Sequence, residues 1–274
     1  MTFYKRKKQL ILVISIFIVM LFIVLLLPVL RPHVNQLMNS TFIDKVNHEA
    51  IAANIKIIQE KYRSDGSVSF SAGASAVLIG HEGNKYYALT ANHVVTELDD
   101  VKETKFIVLA YSDLAYADML ETGREYHGGL INYYQQFPQA AVEYFDEKYD
   151  LAIVSFTADQ AYPTLTVSKE TPKYGDLVIA MSNPHGKRNV ITAGKICSKQ
   201  PKKFGDEAGE TQYPIVEHTA EISTGSSGSA LLNEKCEIVD INLGGNENLL
   251  KQFISGKAMP GDRILDFLEE WKSD

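Results

Sequence analysis

Ser223-Thr224-Gly225-Ser226-Ser227-Gly228-Ser229-Ala230 holds one serine, Ser227, in the frame Gly-x-Ser-Gly. A nucleophilic serine must present Oγ at a tight turn, with backbone N–H groups directed at the charge that develops on the attacked oxygen. Glycines on either side permit conformations that a Cβ forbids and keep the approach open. Ser226 and Ser229 fall outside that frame. Taken alone, a loop rich in glycine and serine reads first as a flexible turn. It also lacks the full Gly-x-Ser-x-Gly of an α/β-hydrolase elbow, and the helix that follows such an elbow is missing.

Upstream, Leu89-Thr90-Ala91-Asn92-His93-Val94-Val95 is a β-like run that ends in small residues and delivers His93 to the start of a helical turn. Of the seven histidines only this one follows a strand in such a context. His185, in Asn183-Pro184-His185-Gly186, reads as a turn residue. Tyr149-Asp150-Leu151-Ala152-Ile153-Val154 puts an acid at the mouth of a buried apolar strand, which is costly unless the carboxylate is hydrogen-bonded. A histidine Nδ1–H would supply the bond and fix the tautomer a general base needs; alone, Asp150 reads as a strand-initiating turn residue. Short β-rich runs fall at 76–79, 85–90, 106–109, 151–156, 177–181, 189–192, 214–217 and 237–241. Many short strands without intervening helices predict a sandwich or barrel rather than a parallel α/β sheet. Pro260-Gly261 introduces a final amphipathic helix carrying Ile264, Leu265, Phe267, Leu268 and Trp271.

The 274 residues suffice for one large domain or two small ones, and 45% apolar with 22% charged is a globular composition. The net charge of −7 argues against a nucleic-acid partner, because phosphate-binding surfaces carry a basic excess. The one positive cluster, Lys5-Arg6-Lys7-Lys8, precedes an apolar run over 10–30 that is broken only by Ser15 and Pro28. About twenty such residues cross a ~30 Å hydrocarbon core. A cleavable signal peptide would have a shorter core and a small-residue site, whereas this run ends Leu-Pro-Val-Leu-Arg-Pro. Flanking charge predicts residues 1–8 in the cytoplasm, a transmembrane signal anchor over 9–30, and the remainder periplasmic or extracellular. That compartment would permit a disulfide between Cys197 and Cys236, with two unpaired thiols as the default. Residues 39–62 predict a helix capped by Ser40 or Thr41, with Ile43, Val46, Ala50, Ala53 and Ile57 at a/d spacing. A juxtamembrane helical segment is therefore expected over 31–66, and the main domain over 67–274.

Thr90-Ala91-Asn92-His93, Asp150-Leu151-Ala152 and Gly225-Ser226-Ser227-Gly228, in that order, resemble the trypsin-like serine peptidases. The surrounding text most resembles the bacterial HtrA/Deg-type branch and the related glutamyl endopeptidases. Further matches are 174–180 leading into Asn183-Pro184-His185-Gly186, then Thr192-Ala193-Gly194, and Asp240-Ile241-Asn242 where that family lines its specificity pocket. The resemblance covers roughly residues 68–272. It implies an all-β fold, a chymotrypsin-like pair of antiparallel β-barrels with the site in the cleft, and the catalytic triad His93, Asp150 and Ser227. The amides of Gly225 and Ser227 would form the oxyanion hole, and Asn242, Leu243 and Gly244 would pair with substrate as an added strand. The implied function is a serine endopeptidase for exported or misfolded proteins. Its partners are protein or peptide substrates and the membrane through residues 10–30, with a homo-oligomer left open. No cofactor is implied and no metal-ligand spacing is visible. A catalytically silent module that keeps the barrel as a docking surface is the alternative.

Three departures qualify the resemblance. Ser226 replaces the usual Asn or Asp before the nucleophile, and Ser229-Ala230 replaces Gly-Pro after it. Glutamyl endopeptidases place a histidine where this chain has Asn242, which argues against acidic-residue specificity. Glu221 stands six residues before Ser227, where trypsins carry the acid that selects Arg or Lys; a surface-facing glutamate is the simpler reading. The residues after Ser227 are used by the final strands and helix, so no PDZ domain is expected. Between His93 and Asp150, Tyr111, Tyr116, Tyr126, Tyr133, Tyr134 and Tyr144 predict either a recognition surface or an extra element covering its own small core.

Overall fold

The computed structural model describes residues 40–96, 101–203, 205–206 and 209–274. The anchor expected over 9–30 and the cytoplasmic residues 1–8 lie outside the described residues. Among the described residues no helix is long and apolar enough to cross a membrane. The chain divides into two compact units, Met1–Phe42 and Ile43–Asp274, and the functional geometry lies in the second.

The N-terminal barrel is built from β1 (Asn54–Arg63), β2 (Val68–Phe70), β3 (Ala74–Glu82), β4 (Lys85–Ala91), β5 (Val101–Leu109), β6 (Gln139–Asp146) and β7 (Leu151–Thr157). Their order is β2-β1-β3-β4-β7-β6-β5. β5 returns to β1, with pairs running from Lys56↔Leu109 to Arg63↔Val101, so six strands close on themselves and β2 is added at β1. The C-terminal barrel uses β8 (Leu177–Ser182), β9 (Val190–Lys195), β12 (Val216–His218), β13 (Ala230–Leu232), β14 (Ile238–Glu247) and β15 (Phe253–Pro260). Between β9 and β12 lies a small hairpin, β10 (Gly205–Asp206) and β11 (Gly209–Glu210). The second sheet runs β12-β15-β14-β13-β8-β9, and an Ile196↔His218 bridge joins its ends. Every ladder is antiparallel, and closure removes the exposed edges that would otherwise invite pairing. Val178, Ala180, Ile196, Val216, Leu231, Val239 and Ala258 fill the second core. The helix expected after Pro260 spans Gly261–Ser273 and buries Ile264 and Phe267.

One expected element is corrected. The helix over 39–62 ends early: Ser40–Glu49 is helical, Ile51–Ala53 forms a 3-10 turn, and residues 54–63 are strand β1. Ile55, Ile57 and Ile58 are all buried there, because β1 is flanked by β3 and β5. β-branched residues suit that site, and a strand buried on both faces leaves no clean period of two to read. The barrel accordingly begins at Asn54, ahead of the expected boundary at 67.

Most of the tyrosines between His93 and Asp150 serve a core. Two short helices, Tyr116–Glu121 and Gly129–Tyr134, bring Met119, Tyr133 and Tyr134 onto Ile58, Ile107 and Leu109, with Tyr116 and Tyr126 packed at the margin. Tyr144 lies against Phe267, and Tyr111 is exposed. Cys197 and Cys236 are both free thiols.

Candidate active site

β4 and β7 pair in register down to Ala91↔Leu151, so the residues just past the end of one strand face those just before the other. His93 sits in the 3-10 turn Asn92–Val94, and Asp150 occupies the left-handed region at φ 51 immediately ahead of β7. Aspartate tolerates that conformation better than most residues. Its carboxylate is doubly committed. Oδ1 accepts the His93 backbone N–H at 2.9 Å, and Oδ2 lies 2.7 Å from His93 Nδ1. A carboxylate can only accept, so Nδ1 carries a proton here, and in the neutral ring Nε2 holds the lone pair. Asn92 N–H also donates to the Asp150 carbonyl, which ties the two turns together at the backbone.

The serine loop is seated against the end of β4 by Gly228. A Cβ there would lie 2.2 Å from both Ser75 O and Thr90 Oγ1 and 2.9 Å from Ala91 N. Only glycine lets the loop press on the end of β4 at Ala91, two residues ahead of His93. The loop is pinned from the first barrel: Ser75 N–H donates to Ser227 O at 2.9 Å, and Ser75 Oγ donates to Gly225 O at 2.8 Å. The Ser227 hydroxyl donates to Leu243 O at 3.3 Å rather than to the His93 ring. Gly225 has φ +99, and among the described residues neither its amide nor that of Ser227 meets a protein acceptor. Ser226, at the departure from Asn or Asp, is buried; its Oγ accepts from Ser223 N–H and donates to Ser182 Oγ.

A cavity of about 270 Å³ opens beside the loop, walled by residues 222–227 on one side and by Gly244, Gly245, Glu247 and Phe253 on the other. Glu221 is exposed and does not line it; its carbonyl accepts from Thr192 Oγ1. The expected run Asn242, Leu243, Gly244 divides. Asn242 is fully buried, its N–H donates to Ser229 O, and its carbonyl accepts from Gly228 N–H. It is therefore a strut of the loop rather than an open edge. Leu243 is the extra residue where the β14–β15 register shifts, and Gly244 reaches the cavity.

Two residues of this architecture escaped the sequence. Ser75 carries no local signal, since its role exists only once β3 meets the loop. His218 is fully buried, and its Nε2 lies 2.7 Å from Asn242 Oδ1 while Asn242 Nδ2 donates to Ser229 Oγ at 2.9 Å. Burial lowers the His218 pKa to about 4, against the opposing bond to Asn242, so the ring is neutral at neutral pH. Among the described residues no cluster of three or more His, Cys, Asp or Glu could hold a metal ion.

Two closed six-stranded barrels, with a histidine–aspartate pair and a glycine-flanked serine at their junction, define the class of chymotrypsin-like folds. Residues 74–240 match the family model described as a trypsin-like peptidase domain, more than half of the chain. The chain belongs to that family. Similar proteins include serine protease HTRA4 of Mus musculus, 29% identical over 136 residues, which is 48% of this chain and 27% of the relative. A probable periplasmic serine endoprotease DegP-like of Buchnera aphidicola is 26% identical over 208 residues, covering 73% of this chain and 36% of the relative. A probable periplasmic serine protease do/HhoA-like of Haemophilus influenzae is 25% identical, covering 72% and 37%. The chain thus spans 27% to 37% of the length of these HtrA- and DegP-like relatives.

Proposed function

We propose that this chain is a serine endopeptidase, anchored in the membrane by residues 10–30, that cleaves exported or misfolded proteins through an acyl-enzyme. The observation that carries this reading is the Asp150 carboxylate holding both the backbone and the ring of His93, at the corner against which Gly228 presses the serine loop. The reading requires the Ser227 hydroxyl to exchange its Leu243 acceptor for His93 Nε2, and catalytic contacts of this kind often tighten only when substrate is bound. His93 then takes the Ser227 proton as Oγ attacks the peptide carbonyl. The imidazolium, stabilised by Asp150, returns that proton to the leaving amine, and water repeats the sequence on the ester. The unengaged amides of Gly225 and Ser227 receive the oxyanion. Substrate side chains enter the cavity between Thr224 and Phe253, and Gly244 meets the substrate backbone. Export is supported by the charge pattern around residues 10–30 and by the periplasmic relatives.

Labelling with a fluorophosphonate tests the reading. Ser227 is expected to be modified in the wild type and unmodified in Ser227→Ala and His93→Ala. Each substitution should lower kcat by roughly four to six powers of ten. A correctly folded wild type that neither labels nor turns over peptide would instead make the chain a silent docking module.

A further inference from the structure

Lys56 is a cation where a barrel strand should have none. It lies on β1 and is 2% exposed. Its ammonium donates to Gly186 O at 2.7 Å, and no carboxylate among the described residues lies within ion-pairing distance of it. Burying an ammonium on one carbonyl is costly, so what that bond holds matters. Gly186 closes the turn Pro184–Gly186, in which His185 adopts the left-handed conformation, φ 48 and ψ 38. Such a conformation is strained for a residue with a Cβ. The His185 N–H donates to Thr224 O at 2.7 Å. Because the peptide unit is planar and trans, the Thr224 carbonyl and the Gly225 N–H point in opposite directions, so fixing one aims the other.

The packing between these groups leaves little slack. A Cβ at Gly73 would sit 2.3 Å from Lys56 Cε, and one at Gly225 would sit 2.6 Å from Asn183 O and 3.2 Å from Gly73 O. Gly73 thus lies between Lys56 and Gly225, and Asn183 closes on Gly225 beside it. Asn183 is locked from the same side, its Nδ2 donating to Ile55 O at 2.9 Å and its backbone N–H to Ser75 Oγ at 2.9 Å. We propose that Lys56 is a positioning residue: by holding Gly186 O it seats the 183–186 turn, which holds Thr224 O and so aims the Gly225 amide at the oxyanion. This rests on the peptidase reading above.

The charge on Lys56 is conditional. Burial, with the Arg188 guanidinium nearby adding to it, lowers its pKa to about 8, while Asp118 on the adjoining helix pulls the other way. Ser75 and Leu109, its partners on the flanking strands, carry no charge. Above pH 8 the ammonium becomes an amine, and a charge-assisted bond becomes a neutral one of about half the strength. The contribution of Lys56 to turnover is therefore present below pH 8 and declines above it.

The test uses the full chain in detergent, with a chromogenic peptide amide as substrate. Lys56→Met should lower kcat by roughly 10- to 100-fold, short of the loss expected for deleting an oxyanion donor outright, with KM changed by less than about threefold. Lys56→Arg should keep kcat and move the alkaline decline upward, because a guanidinium stays charged. Hydrogen exchange at the His185 amide should quicken in Lys56→Met and not in Lys56→Arg. Unaltered exchange at His185 in the Met variant, or an alkaline limb unmoved by Lys56→Arg, overturns the assignment of Lys56 while leaving an active wild type as a peptidase. A wild type in which Ser227 fails to label overturns both.

Discussion

Gly228 has no room for a methyl group, and that restriction decides where the nucleophile loop sits. Its φ of +80 disfavours any residue with a Cβ, and the added carbon would land on a backbone oxygen of β3 and a hydroxyl of β4. Gly228→Ala should cost roughly 2–5 kcal/mol, combining left-handed strain with overpacking, and should abolish phosphonate labelling. Gly83, in the β3–β4 hairpin, has φ +60 but nothing within 4 Å of a Cβ. Gly83→Ala should therefore cost only about 1 kcal/mol and leave labelling intact. Urea unfolding of the two variants measures the difference, and equal losses would mean that close packing at Gly228 does not set the loop. At this scale the sequence was legible where local form and chemistry coincide. A glycine-flanked serine, a histidine after a strand and an aspartate before one each read alone as an ordinary turn or surface feature, and they point to chemistry only as an ordered set. Ser75 and His218 could not be read at all, because each acquires its partner through a fold contact distant in the chain. Asn242 was placed correctly along the chain but given the wrong task, since its backbone groups close onto the loop rather than facing outward.

Among elements, the closing helix Gly261–Ser273 starts beside an unusual guest. Asp240, opposite Pro260 in the β14–β15 ladder, is fully buried, and among the described residues neither carboxylate oxygen receives a well-formed hydrogen bond, the Gly261 amide acting on it only weakly. Burial holds its pKa well above the usual carboxylate range; the charge of Asp262 adds to the rise and the Gly261 amide opposes it. A carboxyl whose folded pKa lies above the unfolded one keeps its proton in the native state while the unfolded chain releases it. Its contribution therefore declines as pH rises from the unfolded value near 4 toward the folded one. Asp240→Asn mimics the neutral acid without needing a proton. It should raise the melting temperature at pH 7 by several degrees and have little effect near pH 4. A variant no more stable than wild type at pH 7 would show that the buried acid is not a liability. The helix itself was plain in the sequence, since one face is apolar and the other wet. β1 was not, for the opposite reason: with both faces buried, its isoleucines fall as readily on a helical stripe as on an alternating one.

For the molecule as a whole, the proposed anchor over 10–30 carries a topology that can be tested on the two barrels. Lys5-Arg6-Lys7-Lys8 precedes the apolar run over 10–30, with Arg31 and Lys45 the nearest basic residues after it. An excess of positive charge on one flank retains that flank in the cytoplasm, and twenty or so apolar residues are enough to hold a chain in a ~30 Å core without help from the folded part. If this is the topology, the full chain stays in the pellet after alkaline carbonate extraction, and protease added outside spheroplasts degrades an epitope placed after Asp274. Neutralising the four basic residues and adding two lysines after Pro32 should send part of the population in the reverse orientation, with the epitope protected. An epitope protected in the unaltered chain would place the barrels in the cytoplasm. Ser227 would then have to find its substrates among resident proteins rather than exported ones, while the geometry of the His93–Asp150 corner would stand unchanged.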